Sequence, residues 1–187
     1  MNILTEGLPD CVEISGETFL INTDFRVWIK VELLISEDIP DRFKIPLMLE
    51  LVYPVIPPDR SAAANIAAEF YAAGIEQSGG GKGSKKRTKR IYSFEHDADR
   101  IYAAFIEAYG IDLTECDMHW FKFRALFACL PESCLISRVM GWRAMDITRD
   151  MPESMKARYK KLKAAYKLPI SQTEREKIEA ARSILER

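Results

Sequence analysis

Four residues of this chain could bind a metal: Cys116, His119, Cys129 and Cys134 offer the nitrogen and sulfur donors of a zinc site, beginning with a Cys-x-x-His pair. The second half lacks the usual paired spacing, and Cys129 stands in a largely apolar stretch where core packing accounts for it, so no metal is assigned. His96 with Asp97 and Asp99 could form an acid–base cluster. Carboxylates at the start of a helix, however, cap free N–H groups and favour the positive end of the helix dipole, which explains them without catalysis. The run GGGKGSKK lacks both the Walker spacing and a preceding apolar strand, so it is not a phosphate cradle. No catalytic residue and no cofactor is expected, and the chain reads as non-enzymatic.

Two further groups point to recognition. Lys85, Lys86, Arg87, Lys89 and Arg90, preceded by Lys82, could contact phosphates as an arm. A solvated loop is the better-supported reading of the same residues, because one short basic run in a chain of net charge −1 is a weak footprint for nucleic-acid binding. In MHWFKFRALFACL, the residues His119, Trp120, Phe121, Lys122 and Arg124 mix aromatic and basic groups as interface anchors do. The basic members do not share one face, so each must reach water, find a hydrogen-bonding partner or await another protein. The competing reading is that Trp120, Phe121 and Phe123 are simply core.

The elements that must position these groups are helical. In SFEHDADRIYAAFIEAYGIDL, Ala98, Ile101, Tyr102, Phe105, Ile106 and Tyr109 recur at three-and-four spacing along one face. Ser93, Glu95, Asp97 and Asp99 are candidate caps. Gly110 stops this helix in the left-handed conformation, with Ile111 folding back onto Ile106. Asp117 is the candidate cap of the aromatic helix, which Pro131 closes. Ser133 can start CLISRVMGWR, where Leu135, Val139 and Trp142 share one side and Ile136, Met140 and Arg143 lie beside them.

Upstream, Val12–Ile14 and Thr18–Ile21, separated by Ser15-Gly16-Glu17, predict a small hairpin. Asn22, Thr23 and Asp24 offer caps for FRVWIKVELLIS. A second helix, RFKIPLMLELVY, is complicated by Pro46, and an alanine-rich helix runs from Ser61 to Gly74 with a stripe of Ile66 and Phe70. Downstream, ESMKARYKKLKAAYKL carries Met155, Tyr159, Leu162 and Tyr166 on a narrow stripe and ends at Pro169.

With 187 residues, 48% of them hydrophobic and 29% charged, the chain has the size and composition of one ordinary globular domain with appendages. The expected fold is mainly α: a single-domain helical bundle of six or seven helices with a small N-terminal β-hairpin. Residues 1–170 form the helical domain, with residues 76–90 a flexible basic Gly/Ser-rich insertion that cannot bury enough apolar surface to offset its ordering. Residues 171–187 form a peripheral C-terminal helix. No apolar run spans a bilayer and no signal sequence opens the chain, so a cytoplasmic protein with four reduced cysteines is expected.

FEHDADRIYAAFIEAYGIDL followed by MHWFKFRALFACLP resembles the phage family known as gp fifteen, from tailed phages of Gram-positive bacteria. The likeness is strongest over residues 94–143 and extends to the hairpin, the first helix and Tyr166–Pro169. Met118 and Phe121 stand where the family more usually has Leu and a second Trp, and the basic segment before Ile91 looks like a variable insertion. The resemblance implies a tail-assembly protein encoded beside the tape-measure gene, a chaperone covering that long apolar chain in the host cytoplasm and absent from the mature virion. Its implied partners are the tape-measure protein or other tail proteins, with no membrane. A nucleic-acid-binding protein using the basic segment and a structural tail component are the rival readings, and self-association stays open.

Overall fold

A computed structural model describes residues 4–37, 39–72 and 90–169. The expected insertion 76–90, except Arg90, and the expected C-terminal helix 171–187 lie outside the described residues. The fold is mainly α, with the elements β1 (Cys11–Ile14), β2 (Glu17–Leu20), α1 (Phe25–Ser36), α2 (Asp41–Val52), α3 (Arg60–Ala72), α4 (Ala98–Tyr109), α5 (Trp120–Ala128), α6 (Leu135–Ala144) and α7 (Glu153–Ala165).

The hairpin pairs antiparallel with Ile14 opposite Glu17, leaving Ser15 and Gly16 as a two-residue turn. Both have positive φ, at 53° and 83°, the mirror-image turn whose twist matches that of the strands. Ile14 turns inward, and the hairpin leans on α3, the larger partner that an isolated hairpin needs.

Asp24 caps α1, its carboxylate accepting from the Arg26 N–H at 2.7 Å. Phe25, Trp28 and Val31 then point into the core. Pro46 does not break α2, which runs unbroken from Asp41 to Val52. The proline lies on the exposed side of the helix, where water can serve the carbonyl that its missing N–H leaves unbonded. In α3 the buried face is Ala63, Ala67 and Phe70, and Ile66 is only half-buried. The small alanines let the chain approach closely enough for the Tyr53 hydroxyl to donate to the Ala63 carbonyl at 3.0 Å.

The second half of the core is aromatic. Phe123 is its hub, with ring centroids of Phe25, Phe105 and Trp120 at 4.8, 5.1 and 5.9 Å. On α4 the buried residues are Ile101, Ala104 and Phe105, while Ile106 faces outward; the expected stripe is rotated so that small Ala104 rather than Ile106 meets the bundle. Gly110 ends α4 at φ 64°; its N–H donates to the Ile106 carbonyl, the single-bond left-handed ending in place of the expected Schellman pair, and the Ile111 N–H donates to the Phe105 carbonyl at 3.3 Å.

Three expected boundaries are corrected. His119, not Asp117, caps α5. Cys134, not Ser133, is the N-cap of α6 and makes no side-chain cap bond. The last helix among the described residues, α7, ends at Ala165, short of Pro169, and Met155 on it stays exposed. This helix buries no residue fully. It is held at its C-terminal end, where Tyr166 packs on Trp142 with centroids 5.1 Å apart and Lys163 donates to the Met145 carbonyl.

Candidate partner-binding surface around α5

The five residues expected to form a contact surface occupy four different settings. His119 caps α5: its Nδ1 accepts from the Phe121 N–H at 3.0 Å, and its Nε2 lies 3.0 Å from the Pro9 carbonyl. Serving both partners requires the tautomer with the proton on Nε2. Trp120 is buried, and its indole N–H donates to the Tyr71 carbonyl at 3.2 Å. Phe121, 8% exposed, packs on Phe70 with centroids 4.6 Å apart. Lys122 is exposed. Arg124 is half-buried, donates to the same Tyr71 carbonyl at 2.6 Å, and lies 5.6 Å over the Trp120 ring.

Although the aromatic members belong to the core, two of them surface again as the linings of concavities on either side of α5. One, of about 300 Å³, lies between the hairpin and α3, with Val12, Ile66, Phe70 and Phe121 as apolar lining and Glu13 and Glu69 as its acidic members. The other, of about 310 Å³, is lined by rings, among them Tyr71, Tyr92, Trp120 and Phe127, together with Arg124. A further apolar face stays open on α2, where Phe43 and Leu47, one turn apart, are 52% and 43% exposed.

A polar network borders the aromatic cavity. The Tyr71 hydroxyl donates to Glu32 at 2.5 Å. Burial pushes the Glu32 carboxyl up, against the opposing pull of Tyr71, Arg90 and Arg124. Burial and the Glu32 carboxylate together push Tyr92 up to about 12 and raise Tyr71 as well. Arg124 is lowered by its own burial, offset by the tyrosines and Glu32. These shifts fit a desolvated setting with the Arg124 cation in the cavity wall and the Glu32 carboxylate behind Tyr71.

The candidate chemical clusters do not assemble. Cys116 is half-buried, Cys129 is exposed and Cys134 is buried, and among the described residues no group of His, Cys, Asp or Glu could hold a metal. The exposure of Cys129, at the C-cap of α5, also overturns its expected place in the core. His96 lies 3.4 Å from Glu95, while Asp97 turns away from both His96 and the solvent.

Asp97 is the residue that sequence reasoning misplaced most. It makes no side-chain cap bond. Fully buried, it receives both guanidinium N–H groups of Arg143, at 2.6 and 3.0 Å, the Arg100 guanidinium at 2.8 Å and the Ser93 N–H at 3.1 Å. Burial alone would raise its carboxyl; the bonds and charge from Arg143, with Ser93 and Arg100, outweigh it and hold the group below the usual carboxylate range. Arg143 further donates to the Ile91 carbonyl at 3.0 Å and the Tyr166 carbonyl at 2.7 Å. The signal was available in the sequence, since Arg143 falls on the apolar side of its helix, and a charge there needs a buried partner.

Of the basic segment, Lys85, Lys86, Arg87 and Lys89 lie outside the described residues. Arg90 is exposed and bonds locally, to the Ser93 hydroxyl at 3.0 Å and the Tyr92 carbonyl at 3.2 Å. Among the described residues no helix is long and apolar enough to cross a membrane.

No curated protein and no solved structure matches the chain. A family described as bacteriophage Gp15 protein matches residues 4–168, which takes in every described element from the hairpin to α7. The chain therefore belongs to the bacteriophage Gp15 protein family.

Proposed function

We propose that this phage protein is a non-enzymatic tail-assembly chaperone that covers apolar surface of the tape-measure protein in the host cytoplasm and leaves before the tail is complete. The observation that carries the reading is the pair of apolar concavities flanking α5, in a chain of a bacteriophage family. A helix-in-groove partner inserts side chains at i, i+3, i+4 spacing into such hollows. The open face of Phe43 and Leu47 adds apolar area of the kind that marks interaction surfaces.

The test is co-expression with the tape-measure protein of the same phage. Co-purification of the two is expected, weakened by Lys122→Ala at unchanged melting temperature, because Lys122 is exposed and its removal hollows nothing. Recovery of the protein at stoichiometric copy number in finished virions would refute the chaperone reading and favour a structural tail component.

A further inference from the structure

We infer that the aromatic cavity beside α5 is a binding site for a single apolar anchor side chain flanked by a carboxylate, presented by a helical segment of a partner protein. The inference rests on the chaperone reading for the partner's identity, but not for the chemistry of the site. At about 310 Å³, the cavity is at the bottom of the range of roughly 300–1,000 Å³ that small-molecule sites occupy. It suits one benzyl or branched aliphatic group, not a cofactor.

The lining decides the class of group. Rings of Tyr71, Tyr92, Trp120 and Phe127 supply the apolar surface, and Met140 supplies an adaptable thioether. Among the described lining residues Arg124 carries the one charge, so a neighbouring anion on the partner is favoured and a neighbouring cation is repelled. Arg124 is also positioned for this: the Tyr71 carbonyl and the Trp120 face hold the guanidinium at the cavity wall instead of letting it swing into solvent. Glu32 lies outside the lining, where it accepts from the Tyr71 hydroxyl and acts electrostatically on Arg124, and Arg90 is a second cation acting on Glu32. Met140 and Ala128 complete the wall from α6 and the last turn of α5, so the site is assembled only when α6 is docked.

The experiment uses the full chain and three blocked dipeptide amides: acetyl-glutamyl-phenylalanine amide, its glutaminyl analogue, and its analogue with alanine in place of phenylalanine. Binding is followed by the methyl signal of Met140 and the indole N–H signal of Trp120 in nuclear magnetic resonance. Saturable shifts are expected for the first probe, with a dissociation constant on the order of 1 mM as befits a ligand of this size. Binding should be about threefold or more weaker for the glutaminyl probe and undetectable for the alanyl one, since charge assistance and ring burial are each removed. Ala128→Leu, at an exposed position where extra bulk enters the cavity without disturbing the core, should abolish the shifts at unchanged melting temperature.

Absence of saturable shifts, or equal binding of the glutamyl and glutaminyl probes, overturns the proposal. Binding that appears only after residues 76–89 are excised also overturns it, because the occupant would then be this chain's own segment. Probe binding in a protein that captures no tape-measure chain would uphold the site and sink the chaperone reading. Capture that persists in Ala128→Leu, with no probe binding to the wild type, would do the reverse.

Discussion

Asp24 and His119, each the N-cap of its own helix, face one another across an isolated antiparallel bridge. The Phe25 N–H donates to the Met118 carbonyl at 3.0 Å and the Trp120 N–H to the Thr23 carbonyl at 2.7 Å. The two side chains then satisfy the next donors, Arg26 N–H and Phe121 N–H. Two helix starts thus dispose of their unpaired N–H groups at one crossing, and this fixes α1 against α5.

His119→Ala should therefore cost about 1–2 kcal/mol of stability, the range for loss of a side-chain cap. His119→Asn should recover most of it, because the amide oxygen can take the Phe121 N–H, although the link from the ring to Pro9 is lost. Urea unfolding of the two variants checks this, with equal losses as the contrary result.

The Asp97–Arg143 pair makes a larger prediction. Arg143→Met leaves a buried carboxylate without its main partner, and Asp97→Leu leaves a buried guanidinium; each should cost about 3–5 kcal/mol. The double variant should lose less than the sum of the two. It will not regain wild-type stability, since the Ile91 and Tyr166 carbonyls and the Ser93 N–H lose their partners. A double-mutant cycle in urea measures the coupling, and strict additivity would show that the pair does not interact.

One buried and one half-buried carboxyl bend the pH profile in opposite senses. Asp97 is depressed in the folded state, so its contribution is fully present above the ordinary aspartate value of about 3.9 and is lost as pH falls through the folded value. Glu32 is raised, so its contribution is present below the ordinary glutamate value of about 4.3 and is lost as pH rises through the folded value. Asp97→Asn should flatten the acid limb of a stability-versus-pH curve. Glu32→Gln, which keeps an acceptor for Tyr71, should remove the decline on the neutral side of about pH 4.3. Curves that keep their wild-type shape would contradict both assignments.

Gly110 has open space where a Cβ would sit, yet its φ is 64°. Gly110→Ala should cost about 1–2 kcal/mol from backbone strain alone, with no packing change. Thermal melting tests it; a loss well beyond that range would mean the side chain meets something.

A strong chelator should leave the melting temperature unchanged, because Cys116, Cys129 and Cys134 lie in three different environments and form no cluster with His119. Stoichiometric zinc released with a large loss of stability would contradict this.

Where a helix is defined by its own residues, the sequence was sufficient. FRVWIKVELLIS coincides with α1 because Asp24 caps it locally and the apolar spacing continues to its end. Gly110 likewise stops α4 through its own conformational freedom. Sequence reasoning failed where a distant partner decides. An aspartate at a helix start has a sufficient local explanation, which hid the fact that Asp97 belongs to an arginine 46 residues away. Asp117 is the better intrinsic cap, but the bridge to Thr23 sets where α5 begins. Of the anchor residues, the types were legible and the settings were not: whether Trp120 is core or surface depends on Tyr71, which lies beyond any local pattern.

The chain on either side of residues 73–89 is fastened to the bundle by an arginine, the Tyr71 carbonyl by Arg124 and the Ile91 carbonyl by Arg143. Both points are thus held by side chains of α5 and α6 whatever length of chain joins them, the Tyr71 carbonyl by the Trp120 indole N–H as well. Closing a longer connection between fixed ends costs only about 0.6 kcal/mol per doubling. The stretch can therefore gain and lose residues from one phage lineage to the next without a compensating change in the helices. For the same reason it is the natural place to splice in an affinity tag or a fluorescent reporter.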